Sequence, residues 1–175
     1  MDKQHNTASY SMIKFSVASI LFLFFLNINA QEKYTKLPET HGICPTIIVN
    51  DNIISNYDII KNNKQFVAKI SVMKDKPNRK DHRFYNLSEN GIILVDLDQK
   101  VKSKSQCDLN RFFGLDKKNE VYVNGYLVED TKYKIATESI IEIELIIPNS
   151  INKLKSKSIN VWTLTKQERI EGCKQ

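Results

Sequence analysis

The chain has 175 residues, 41% of them hydrophobic, and it carries a formal net charge of +6. This length is enough for one domain with a modest core. The excess of Lys and Arg does not indicate nucleic-acid binding, because aromatic residues are not interleaved with the basic ones. The chain also lacks the Walker-type, G-x-G-x-x-G, G-x-S-x-G and H-E-x-x-H motifs. It therefore carries none of these common sequence signatures of nucleotide-binding and hydrolytic enzymes.

Residues 1–30 have the pattern of a secretory signal peptide. A weakly basic start precedes the apolar core Phe15–Leu26, and Ala30 is a small residue suited to cleavage. The apolar core is too short to span a bilayer comfortably. We therefore predict an exported chain of the periplasm or outer membrane, with no membrane span after cleavage. A retained N-terminal anchor is the alternative.

The three cysteines are Cys44, Cys107 and Cys173. An exported chain meets an oxidising compartment, so we expect one disulfide and one free thiol. The spacing does not decide which two pair. A zinc site that adds His41 to the cysteines has no Cys-x-x-Cys downstream of Cys44 to complete it, so no metal is expected.

Residues 31–45 are polar and read as an extended lead-in. The elements predicted after it are a strand over Thr46–Asn50, a turn at Asp51-Asn52, a helix over Asn56–Gln65, a strand over Phe66–Lys74 and a strand over Gly91–Leu97. The last of these is almost entirely apolar, which favours a central strand buried on both faces.

A helix is predicted over Ser105–Phe113, within a linker at residues 99–119. Ser105 suits the N-cap, and Gly114 suits the residue after the helix. Leu109, Phe112 and Phe113 would form its buried face. This helix is expected to join the two halves of the chain.

The second half opens with a hairpin signal, since Asn124-Gly125 tolerates positive φ at both turn positions between Val121–Val123 and Tyr126–Val128. Ser139–Ile147 is the longest β-rich run and is predicted to be a central strand with Ile141 and Ile143 buried. Glu142 and Glu144 alternate with these residues, which indicates an exposed strand face rather than paired catalytic carboxylates. Trp162, in the last strand, is predicted to be a core residue.

The segments 46–98 and 120–166 repeat the same order of elements, and residues 167–175 form a C-terminal tail. The matched pairs are Val49/Val123, Asn50/Asn124, Ile70/Ile143, Ile92/Ile159 and Leu97/Leu164. Units of about fifty residues are marginal alone and gain a core by packing together. We predict an α+β fold of two similar strand-helix-strand-strand units, packed as one domain and joined by a short helix. Two unrelated hairpin regions are the alternative.

Both segments resemble the plug domain of TonB-dependent outer-membrane receptors. The matching residues are Ile70–Asp75, Tyr85 and Asn90–Ile93 in the first segment, and Val123–Gly125 and Val161–Lys166 in the second. Asp51 and Asn86 stand where the family has glycine, and the second segment lacks the Tyr-Gly turn. The resemblance implies a small α+β envelope module present twice. It does not imply transport, since no barrel-length segment follows.

No convergent catalytic set is visible, so neither enzymatic activity nor a cofactor is expected. The candidate binding residues are basic and lie in two loops: Lys74, Lys76, Arg79, Lys80 and Arg83, and then Lys153, Lys155 and Lys157. We predict an exported non-enzymatic scaffold of two plug-like modules that binds another envelope protein. The alternative is a periplasmic binder of an anionic small molecule or glycolipid through these Lys-rich loops.

Overall fold

The computed structural model describes residues 34–38, 40, 44–74 and 84–173, which contain ten strands in two sheets and three short helices. The fold class is therefore α+β, as the sequence predicts. The predicted signal peptide lies outside the described residues. The helices are α1, Asp58–Asn62; α2, Gln106–Phe112; and α3, Lys166–Glu171.

The strands alternate with turns and the short helices along the chain. They are β1, Thr46–Val49; β2, Ile53–Ser55; β3, Val67–Met73; β4, Ile92–Leu97; β5, Ser103–Ser105; β6, Val121–Val123; β7, Tyr126–Leu127; β8, Lys134–Ala136; β9, Glu142–Ile146; and β10, Ser158–Trp162. The first sheet has the order β3-β4-β1-β2-β8-β5, and the second has the order β7-β6-β10-β9.

The two segments share one pattern of strand pairing. In the first, β1 pairs with β2 antiparallel and with β4 parallel, while β3 pairs with β4 antiparallel. In the second, β6 pairs with β7 antiparallel and with β10 parallel, while β9 pairs with β10 antiparallel. The predicted correspondence in strand order and direction is therefore present.

Each segment has the same kind of turn directly after its first strand. Asn124 and Gly125 have φ of 51° and 86°, and Asn50 and Asp51 have φ of 45° and 66°. The first turn therefore lies one residue earlier than the predicted Asp51-Asn52. Each asparagine also bonds the end of its closing strand, since Asn124 accepts from the Thr163 N–H at 2.8 Å and Asn50 accepts from the Leu97 N–H at 2.8 Å.

Replacing the turn asparagine tests how much this shared feature stabilises the domain. Asn124→Ala should lower the free energy of unfolding by about 2 kcal/mol, because alanine loses the side-chain hydrogen bonds and is strained at positive φ. Asn124→Gly should cost less, because glycine adopts this φ without strain. Urea unfolding measures both losses. Equal losses would contradict a contribution from the backbone conformation.

The first sheet also includes strands from beyond residue 98. β8, from the second segment, pairs parallel with β2, and β5, from the linker, pairs antiparallel with β8. The buried hydroxyls of Ser55 and Ser139 lie 2.7 Å apart and add a polar contact between the segments. Strand pairing and side-chain packing together therefore tie the segments into one domain.

The two sheets pack face to back. The strand registers make Val49 and Val95 equivalent to Val123 and Val161. Val123 and Val161 lie in the cluster between the sheets, where they meet residues such as Ile48 from the first sheet. Val49 and Val95 belong instead to a second cluster that includes residues of α1. The second sheet therefore buries the face that carries Val123 and Val161 against the first sheet. The equivalent face of the first sheet, which carries Val49 and Val95, points away from the second sheet.

The sequence predicts one central strand correctly and one wrongly. β4 lies between β3 and β1, as predicted. β9 is an edge strand, bonded only to β10 among the described strands, and Ile141 is 47% exposed and Ile143 only half-buried. A β-branched run suits any half-buried pleated surface, so it does not separate a central strand from an edge strand.

The helix between the segments forms where the sequence predicts it. The Asp108 N–H donates to the Ser105 Oγ at 3.1 Å, and Gly114 has φ of 68°. Leu109 is buried, but Phe112, predicted to be buried, is 83% exposed. Only one stripe of this seven-residue helix faces the core, so adjacent aromatic residues cannot both be buried.

A disulfide joins the two ends of the described domain. Cys44, just before β1, is bonded to Cys173, just after α3, and their Cα atoms lie 5.4 Å apart. Cys107 is free. The structure thus contains one of the pairings that the sequence leaves open.

Candidate functional site

β3 is an open edge of the first sheet. It bonds to β4 on one side, and no strand within the described ranges pairs with its other side. An edge strand leaves backbone N–H and C=O groups available to a further strand. Lys69 is the only charged residue in its seven positions. β3 therefore has little of the charge that protects edges from pairing.

The other edges are better protected. Residues of the lead-in run beside β7, where the Leu127 N–H donates to the Thr35 carbonyl at 3.0 Å and the Leu37 N–H donates to the Gly125 carbonyl at 2.8 Å. β5 has only three residues, and β9 carries two glutamates in five positions. Covering segments, short strands and charged side chains each discourage edge pairing.

The outward face of β3 is apolar and exposed. Ile70 and Val72 are 48% and 60% exposed. Both lie opposite β4 residues of the outward-facing cluster, Val95 and Ile93. These two side chains form what we call the β3 surface.

The fold explains why this surface is uncovered. The register makes Ile143 the equivalent of Ile70 in the second segment, and Ile143 packs against the cluster between the sheets. In the first segment this face is turned away from the second sheet, and the α1 residues Ile59 and Ile60 join a cluster that does not include Ile70. Among the described residues, the β3 surface thus lacks the apolar cluster that its counterpart packs against.

A cleft of about 590 Å³ lies against the outward face of the second sheet. The lead-in, β9, β10 and the loop after β9 line it. Its described lining includes Pro38, Thr40, Glu144, Ile147, Asn160 and Trp162. Its size is in the range of small-molecule sites.

Trp162 lines this cleft instead of lying in the core. The residue is half-buried, and its indole N–H donates to the Glu144 carboxylate at 3.2 Å. The guanidinium of Arg169 lies 3.9 Å from the ring centroid and donates to Glu142 at 2.8 Å. This hydrogen bond holds the pKa of Glu142 below its usual value. The core prediction fails because the described residues include no further sheet that covers this face of the second sheet.

Asn160 lies beneath the cleft and is only 1% exposed. Its Oδ1 accepts from the Gly125 N–H at 2.9 Å, and its Nδ2 has no hydrogen-bond partner within the described ranges. The amide cannot be flipped, because only oxygen accepts from that N–H. The equivalent residue of the first sheet is Leu94. Sequence reasoning missed Asn160, although a polar residue within an apolar closing strand was a usable signal.

The predicted basic residues are only partly described. Lys74 is exposed at the end of β3, and Lys153, Lys155 and Lys157 are exposed in the loop between β9 and β10. These two loops follow equivalent edge strands. None of the four lysines is among the described residues that line the cleft. The remaining predicted residues, which are Lys76, Arg79, Lys80 and Arg83, lie outside the described residues.

Clustered metal ligands and long apolar helices are both missing from the described part of the chain. No group of three or more His, Cys, Asp or Glu side chains there is placed to hold a metal ion. None of the helices in the same ranges has the length and apolar character needed to cross a membrane.

Comparison with protein-family models, with curated proteins and with solved structures found no match to this chain. The resemblance to a receptor plug domain therefore stays a prediction made from the residues.

Proposed function

We propose that this chain is an exported, non-enzymatic scaffold that binds another envelope protein through the edge and surface of β3. The observation that carries the proposal is the combination of an open backbone edge with two exposed apolar side chains, Ile70 and Val72. A partner strand added here would satisfy the backbone groups of the edge and cover the apolar surface in one step.

The charges around β3 indicate which partner segment would fit. Lys64, Lys69 and Lys74 are exposed before, within and after the strand. An extended segment with apolar residues at alternate positions and carboxylates beside them would complement this edge. The non-enzymatic part of the proposal is supported by the sequence, which lacks the common catalytic motifs.

A double substitution on the β3 surface tests this function. Ile70→Lys with Val72→Lys should leave folding nearly intact, since both side chains are substantially exposed. When this variant, beginning at Gln31, is used to capture the partner from the native envelope fraction, the yield of partner should fall at least about tenfold. The added charges oppose apolar docking.

A matched control removes apolar surface elsewhere. Phe112→Lys with Ile170→Lys alters side chains that are 83% and 78% exposed but lie outside β3. This control should retain the same partner at wild-type yield. Full retention of the partner by the β3 variant would show that the interaction does not use the β3 surface. Equal loss of the partner in the control would show that the effect is not specific to β3.

A further inference from the structure

The geometry of the second sheet points to a separate ligand site: we infer that the cleft beside Trp162 binds a saccharide carrying an acetamido group. This inference does not depend on the protein-binding role of β3, which lies in the other sheet. The cleft combines an indole ring, one carboxylate and a buried amide donor. The chemistry of these three groups defines the ligand.

Asn160 places the most specific requirement on the chemistry of the ligand. A buried donor without an acceptor is costly, and the Nδ2 of this residue has none among the described residues. Its amide oxygen is already used by Gly125. An oxygen acceptor of a ligand that comes within reach of this Nδ2 would satisfy the donor, and the carbonyl of an acetamido group is a strong acceptor.

Trp162 and Glu144 indicate the rest of the ligand. The negative face of an indole attracts the C–H face of a sugar ring, and Arg169 together with Glu144 holds the indole in place. The Glu144 carboxylate accepts hydrogen bonds from sugar hydroxyls. It is also the only charged residue among the described lining residues, which disfavours an anionic ligand. Ile147, 60% exposed at the cleft, would contact the acetamido methyl.

The first sheet shows that this arrangement is particular to the second. Its residue equivalent to Asn160 is Leu94, which packs against the core between the sheets. The second sheet thus has a buried amide where the same strand arrangement elsewhere has an apolar side chain. Stability alone does not account for a buried donor left unpaired.

The test uses chitotriose, a trimer of N-acetylglucosamine, as the probe. Trp162 is the only tryptophan, so its fluorescence reports directly on the cleft. Titration should give a saturable change with a Kd on the order of 1 mM or tighter, confirmed by calorimetry. Maltotriose, which lacks acetamido groups, should bind at least about tenfold more weakly, because it leaves the Asn160 donor without the carbonyl acceptor.

Three variants distinguish binding in the cleft from binding elsewhere on the protein. Asn160→Asp keeps the acceptor for Gly125 and removes the donor, so it should abolish the preference for chitotriose over maltotriose. Glu144→Gln, at an exposed position, should weaken binding even where the first variant fails to fold. Glu138→Gln, at an exposed position before β9 and outside the described cleft lining, should bind as wild type does.

Three outcomes would overturn the inference. The first is the absence of a saturable response to chitotriose up to about 20 mM, a concentration well above the expected Kd. The second is an equal response to N-acetylglycinamide, which would mean that the amide alone is recognised. The third is unchanged binding by both Asn160→Asp and Glu144→Gln.

Discussion

Ile159→Ala should lower the free energy of unfolding by about 3 kcal/mol and the melting temperature by roughly 10 °C. Ile159 has no exposed surface and lies in β10, between β6 and β9. Its side chain belongs to the cluster that joins the two sheets. Truncation removes apolar contacts and leaves a cavity that rigid strands on both sides cannot close. Thermal unfolding followed by circular dichroism measures the loss.

Two neighbouring isoleucines provide graded controls. Ile143 is half-buried on the edge strand, so Ile143→Ala should cost less than Ile159→Ala. Ile141 is 47% exposed, and Ile141→Ala should cost least. If Ile143→Ala proved as damaging as Ile159→Ala, β9 would behave as a central strand and the observed strand order would be contradicted.

Removing the disulfide should have an effect of similar size or larger. Cys44→Ser with Cys173→Ser opens a cross-link between residues 129 positions apart. In the chain-entropy model, a cross-link that closes a loop of this length destabilises the unfolded chain by about 5 kcal/mol. Removing a native disulfide typically lowers the free energy of unfolding by about 2–5 kcal/mol. Urea unfolding of the oxidised wild type and the double variant measures the difference.

Cys107→Ser is the matched control for the disulfide variant. Cys107 is free and half-buried, so its replacement should change stability by less than about 1 kcal/mol. Thiol titration of the denatured, unreduced wild type should find one reactive thiol, and Cys107→Ser should have none. A reactive thiol remaining in Cys107→Ser would mean that Cys107 pairs with one of the other two cysteines.

Local chemistry explains which parts of the fold could be predicted. Asn124-Gly125 adopts positive φ readily, and Ser105 caps the helix that it precedes, so both features depend on neighbouring residues only. β4 was identified as central because its residues are apolar on both faces. These signals do not require knowledge of the distant strands.

The pairing of residues between the two segments required more than local chemistry. The sequence alignment pairs Ile92 with Ile159 and Leu97 with Leu164. The strand register shifts both pairs by one residue, so that Ile93 is equivalent to Ile159 and Leu97 is equivalent to Thr163. A shift of one residue turns every side chain to the other face of a strand. Ile92 accordingly faces the second sheet, whereas Ile93 faces away from it.

The candidate surfaces depend on which faces the sheets turn to each other. No local pattern shows that β3 and β9 are edges, or that the first sheet turns the Ile70 face away from the second. The cleft likewise requires the lead-in, β9 and β10 to meet, and Pro38 and Trp162 are far apart in sequence. Charge alone singles out the basic residues in the sequence, whereas the folded geometry exposes apolar side chains on β3 and buries one amide beneath the cleft.

Amide hydrogen exchange with the captured partner present and absent tests the proposed interaction most directly. Added to the edge of β3, a partner strand would protect backbone amides of Val67–Met73, because it would bond groups that no described strand occupies. The proposed interaction predicts increased protection there and little change in residues 151–157. Unchanged exchange in β3, with protection confined to the loop that carries Lys153, Lys155 and Lys157, would contradict it.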